Sequence, residues 1–142
     1  LDKYATHMES NFNEMAKYIN SNKEVMDKLD VLVKELDENP EVKENGKKLL
    51  ELMDNWDKKM TQRMSKAYDD VENFPNKFLA DYLFILDEIK GDIPNVSEGI
   101  LKSLKSHDEK WVELKKEIDQ INQVNIPEYN KELWSIGIGA LN

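Results

Sequence analysis

Residues 97–124 read SEGILKSLKSHDEKWVELKKEIDQINQV, and the pattern in this stretch decides the fold. Ile100, Leu104, His107, Trp111, Leu114, Ile118, Ile121 and Val124 succeed one another at steps of three or four residues. That spacing matches a helix of about 3.6 residues per turn with a single apolar stripe. Between them lie Lys102, Lys105, Asp108, Glu109, Lys110, Glu113, Lys115, Lys116, Glu117 and Asp119, a solvated face. Such a helix draws most of its stability from packing, so it needs partner helices.

The rest of the chain supplies them. Tyr4, Met8, Phe12, Met15, Ile19, Val25, Met26, Leu29, Leu32, Val33 and Leu36 predict one long helix over 2–38. A bend is expected near Ser21-Asn22, where helix propensity is weak, and Asn39-Pro40 ends the helix. A second helix is predicted over 41–67, opened by Pro40 with Glu41 and Glu44 and striped by Val42, Gly46, Leu49, Met53, Trp56 and Met60. Gly46 costs a mid-helix position about 1 kcal/mol against alanine, so it either permits a close approach or marks fraying. Residues 69–75 then connect to a third helix over 76–90. Its Phe78, Leu79, Tyr82, Leu83, Phe84, Ile85, Leu86 and Ile89 surround most of the circumference, which predicts a buried helix stopped by Gly91. Residues 92–95 form a turn, and Ser97 caps the fourth helix, over 97–124. A short fifth helix over 126–136 follows, with Asn125 as cap, Pro127 in its first turn and Gly137 as stop. The apolar tail Ile138–Leu141 is expected to tuck against the rest. The sequence therefore predicts a single all-α domain over 1–142, an antiparallel up-down four-helix bundle with a short C-terminal fifth helix.

Composition narrows the function classes. The 142 residues carry 20 basic and 29 acidic side chains, a net charge of -9, with no basic block. A nucleic-acid backbone or an anionic membrane would be repelled, so neither is an expected partner. No apolar run approaches the roughly 18 residues of a membrane-spanning helix, so no membrane insertion is expected. The absence of cysteine removes disulfides, thiolate metal sites and a cysteine nucleophile. The chain opens at Leu1 inside a helical pattern, which suggests a piece of a longer protein.

Motifs that would carry chemistry are missing. The only histidines are His7 and His107; Tyr4 and Leu104 stand three residues before them, so the Glu-x-x-His pattern of a carboxylate-bridged di-metal bundle fails. No calcium loop fits Asp54–Asp57 or Asp69–Glu72, and there is no glycine-rich phosphate loop. His107, on the apolar stripe, reads as a packed or boundary residue. Carboxylate pairs such as Asp69/Asp70 and Asp87/Glu88 fall in turns or on polar faces, where an ordinary solvated state is expected. Ser103, Ser106 and His107 share one helix, where adjacent side chains diverge, so they make no nucleophile–base pair. No catalytic residue, metal or cofactor is therefore assigned. Among the aromatics, Trp56 and Trp111 lie on core stripes, whereas Tyr82, Phe84 and Trp134 are the expected contact surface.

Three local patterns carry a family resemblance. They are the apolar helix Phe78–Leu86 leading into Gly91-Asp92-Ile93-Pro94, the pair Leu101–Leu104 and Trp111–Leu114, and the ending Ile126–Leu133 followed by Gly137–Leu141. The stretch from Lys77 to Leu141 resembles the C-terminal helical region of bacterial sortilin-like (VPS10/BNR-repeat) β-propeller proteins, often labelled glycosyl hydrolases. The resemblance implies an accessory bundle following a propeller in a secreted, periplasmic or cell-surface protein. It also implies that any catalytic residues lie on the propeller and that the propeller, or another protein, is the partner. The alternative expectation is an extracytoplasmic ligand-sensing four-helix bundle of a membrane receptor, with small molecules held between helices.

Overall fold

A computed structural model of the chain describes residues 2–62, 77–92 and 96–142. Every regular element among them is helical: α1 (Asp2–Val33), α2 (Pro40–Met60), α3 (Phe78–Asp92), α4 (Glu98–Gln120), a π turn (Ile121–Asn125) and α5 (Ile126–Ser135). The protein is an all-α helical bundle, as its apolar stripes require. Its residues fall into two compact units: 1–19 with 58–113, and 20–57 with 114–142.

In the first unit, Met8, Met15 and Ile19 of α1 are buried, as are Tyr82, Ile85, Leu86 and Ile89 of α3 and Leu104 and Trp111 of α4. Glu9 pairs with Lys90 at 2.6 Å while Asn11 bonds Tyr82, so α1 and α3 run antiparallel. Trp111 meets the Tyr18 ring edge-on at 5.9 Å between centroids, a favoured aromatic geometry. Ser97 caps α4 as its sequence predicts, its Oγ accepting from the Ile100 amide at 3.2 Å.

In the second unit, Asn22 of α1 faces Met53 of α2 and Val33 faces Gly46, an antiparallel pair. Along α2, Trp56 Nε1 donates to the Leu114 carbonyl at 2.8 Å and Asn45 donates to Glu132 at 2.6 Å, so α2 also runs antiparallel to the α4–α5 strand of helix. Trp56 and Trp111 are both core residues, at 2% and 3% exposure.

Several helix ends differ from the sequence expectation. The first helix stops at Val33 rather than 38. The chain then makes tight turns, with Glu35 N donating to Leu32 O and Asn39 N to Leu36 O. Leu36 is 2% exposed in this turn, so periodicity cannot distinguish a buried turn residue from a buried helical one. Through Ser21-Asn22 the helical assignment is unbroken. The second helix ends at Met60, its last buried apolar residue; Thr61 and Gln62 are not helical, and the predicted 63–67 lie outside the described residues. The 69–75 connection, Asn76 and Ile93–Asn95 also lie outside them. Gly91 does not stop α3, which continues to Asp92, because Gly91 has no left-handed φ.

The fourth and fifth helices join through the π turn instead of breaking at Asn125. Ile126 N donates to Ile121 O, a bond across five residues. The extra residue shifts the buried stripe from Ile118 and Ile121 to Ile126, Tyr129 and Leu133, and turns Val124 outward to 37% exposure. Widening the helix here also relieves the clash that the Pro127 ring would make with the carbonyl four residues earlier. Gly137 then closes α5 with φ of 83°; Ile138 N donates to Leu133 O and Gly137 N to Trp134 O, a Schellman ending. The tail folds back as expected: Leu141 is buried and its amide donates to Asn130 Oδ1 at 2.8 Å.

Candidate functional site

Four polar residues converge in the first unit. His7 and Asn11 stand one turn apart on α1, Tyr82 projects from α3 and Asp108 from α4. The Tyr82 hydroxyl donates to Asp108 Oδ1 at 2.7 Å, and Asn11 Nδ2 donates to the Tyr82 oxygen at 3.1 Å. His7 Nε2 lies 2.8 Å from Asp108 Oδ2. Both carboxylate oxygens of Asp108 are thus engaged. Burial, with the nearby Asp108 carboxylate adding to it, holds the Tyr82 phenol well above its ordinary pKa despite the opposing Asn11 bond. The phenol therefore stays protonated and remains a donor. Tyr82 is the one buried member of the four, and its hydroxyl is tolerable there because it is bonded to both Asn11 and Asp108.

The sequence did not reveal this cluster. Asp108 falls on the solvated face of the fourth helix, and no local spacing links residues 101 positions apart. The one available signal is that His7 and Asn11, at i and i+4, flank the Met8/Met15 stripe. His107 is the boundary residue it was expected to be: its ring stacks on Phe78 at 5.8 Å, and its Nδ1 bonds the Ser103 carbonyl at 2.8 Å.

Beside the cluster, the first turns of α1 and three turns of α4 line an open cleft of about 540 Å³. Tyr4, Leu101, Leu104 and Val112 form its apolar lining; Lys3, His7, Lys105, Asp108 and Glu109 supply the polar part. His7 with Asp108 forms a proton-accepting pair in geometry, but no serine, threonine or cysteine lines this cleft. Among the described residues no group of three or more His, Cys, Asp or Glu side chains is placed to hold a metal ion. In the second unit, a cleft of about 480 Å³ lies between α1 and α2 over Met26 and Leu50, rimmed by charges of both signs such as the Lys23–Asp27 pair at 2.9 Å.

The three expected contact residues have different fates. Tyr82 is fully buried, which corrects its assignment to the surface. It belongs to the inward stripe Phe78, Tyr82, Ile85, Ile89, whereas Phe84, two residues on, lies about 200° round the helix. Phe84 is 65% exposed and Leu83 beside it 40%, so α3 is buried on one face and not all round. Trp134, in the other unit, is 59% exposed at the outer side of α5. Among the described residues no helix is long and apolar enough to cross a membrane. No family model matches the chain, and no curated protein or solved structure shows significant similarity to it.

Proposed function

We propose that the chain is a non-catalytic interaction bundle, the accessory helical domain of a secreted or envelope-associated bacterial protein of the sortilin-like β-propeller kind. The observation that carries this reading is Phe84, 65% exposed beside Leu83 on a helix whose opposite face is core. Large exposed aromatic and aliphatic side chains are costly to leave in water and anchor protein interfaces. Trp134 offers a second anchor of the same type on the other unit. The motifs of residues 77–141 support the choice of a propeller as the partner. The test is to express the propeller encoded in the same reading frame and this chain as separate polypeptides and measure their association. Association that weakens at least about tenfold on Phe84→Ser supports the reading, since loss of a central anchor costs 2 kcal/mol or more on typical scales. No association, or association indifferent to both Phe84→Ser and Trp134→Ser, overturns it.

A second reading, a ligand-sensing bundle of a membrane receptor, is favoured by one observation, the apolar cleft between α1 and α4. A transmembrane segment directly preceding Leu1 in the reading frame would select it.

A further inference from the structure

We propose that Asn45-Gly46 is a self-modification site, at which the chain converts Asn45 to aspartate or isoaspartate when α2 opens and thereby frees α5 from α2. Of the chain's asparagines only Asn45 precedes a glycine. A following residue without Cβ leaves its backbone nitrogen unhindered and its dihedrals free, as attack on a neighbouring side-chain amide requires. In the folded chain the pair lies inside α2, and Gly46 is buried. The helical pattern commits the Gly46 N–H to the carbonyl four residues back and fixes the backbone between the two residues near ψ of about −42°. Folding therefore withholds the nucleophile, and an opened or unfolded α2 supplies it.

The reaction needs only the chain and water. The deprotonated Gly46 nitrogen attacks Asn45 Cγ; the N–Cγ bond forms, the Cγ–Nδ2 bond breaks, and ammonia leaves with the proton that Gly46 gave up. Water then opens the resulting cyclic imide. Cleavage at Cγ gives aspartate, and cleavage at the backbone carbonyl gives isoaspartate; no group is oxidised or reduced. The product lands on the contact that ties α2 to α5, where Asn45 Nδ2 donates to Glu132 Oε1 at 2.6 Å. Loss of that donor sets one carboxylate against another, and the two cannot both stay ionised at such a separation. Among the described residues Glu128, Glu132 and Lys48 are the charged groups of the small cleft beside Asn45, so a new carboxylate adds to an excess of acid. Isoaspartate acts further. It inserts a methylene into the backbone of α2 beside Gly46, where Tyr129 and Val33 leave no room for one methyl.

This chemistry belongs to the chain itself and is independent of docking through Phe84. The full chain is held in mildly alkaline buffer, folded or in guanidinium chloride, and every asparagine-containing peptide is followed by mass spectrometry. Enzymatic methylation of isoaspartate marks the rearranged product. In denaturant Asn45 is expected to convert faster than every other asparagine, and several-fold more slowly in Gly46→Ala. In the folded chain its conversion is expected to fall about tenfold or more, because only opened molecules react. Hydrogen exchange of the α5 amides is expected to be about tenfold faster in Asn45→Asp, the size of one lost charge-assisted hydrogen bond. It should return toward the wild-type rate in Asn45→Asp/Glu132→Gln, where position 132 supplies the donor; if Asn45→Asp alone fails to fold, the double variant is still expected to fold. The proposal is overturned if Asn45 converts no faster than other asparagines in denaturant, or if Gly46→Ala leaves that rate unchanged. It is equally overturned if folded and unfolded chains convert alike, if α5 exchanges alike in Asn45→Asp and wild type, or if Glu132→Gln does not restore what Asn45→Asp loses.

Discussion

Replacing Gly46 by alanine adds one methyl group where α2 lies against Val33 and Tyr129. A Cβ there would stand 2.4 Å from the Tyr129 oxygen, 3.0 Å from its Cζ and 2.8 Å from Val33 Cγ1. Ordinary contact needs about 3.5 Å or more between such atoms, so the ring must retreat by about 1 Å. The Tyr129 hydroxyl donates to the Val42 carbonyl at 2.9 Å, one turn before Gly46, and that bond would not survive the shift. Helix propensity alone makes Gly→Ala stabilising by about 1 kcal/mol. Against it stand the lost hydrogen bond, about 0.5–1.5 kcal/mol, and overpacking, about 1–3 kcal/mol. The balance is a net loss of about 1–3 kcal/mol, or a fall in Tm of roughly 3–10 °C for a chain of this size. Urea unfolding of Gly46→Ala, Tyr129→Phe and the double variant measures it. Tyr129→Phe removes the atom that the new methyl meets first, so the double variant is expected to lose clearly less than the sum of the singles. A Gly46→Ala protein more stable than wild type by the full propensity gain would refute the close-packing argument.

Trp56→Phe removes the indole donor to the Leu114 carbonyl and part of a fully packed ring, for an expected loss of about 2–3 kcal/mol in urea unfolding. Asn22 is 2% exposed and its Oδ1 has no hydrogen-bond partner among the described residues, while Nδ2 donates to Met53 O at 3.1 Å. Asn22→Leu is therefore expected to leave stability unchanged or raise it by up to about 2 kcal/mol, and a loss above 1 kcal/mol would contradict this reading. On the alkaline side, burial holds the Tyr129 phenol above its ordinary value of 10, at about 12, with the Glu132 charge adding to it. The folded state then retains a proton that the unfolded state releases. Stability is intact below pH 10 and falls as pH rises from there toward 12. Thermal unfolding at pH 9 to 11.5 should show that decline, less steeply in Tyr129→Phe.

The fold was legible because it depends on periodicity. Of the predicted stripe from Met8 to Leu36, all but the half-buried Phe12, Val25 and Leu32 are buried, and from Leu104 to Ile121 all but His107. The ends were less legible, since Leu36 is buried whether the chain is helical there or turning. The π turn could not be read either: Ile126-Pro127 looks like the start of a new helix, and only the register of Tyr129 and Leu133 with Ile121 reveals one inserted residue. On α3, composition suggested burial all round, yet a helix among neighbours on one side keeps another side open, which is where Phe84 lies. Tyr82 and Phe84 were equivalent as aromatics and distinguishable only by their 200° separation. The cluster of His7, Asn11, Tyr82 and Asp108 needs three helices to meet, and that information lies in no local window.

The central claim, an interaction bundle attached to a sortilin-like propeller, is tested most directly by sequencing the reading frame upstream of the codon for Leu1. The account predicts a signal peptide followed by β-rich repeats that run into this bundle. A transmembrane helix directly before Leu1, or a frame that contains neither repeats nor a signal, would contradict it.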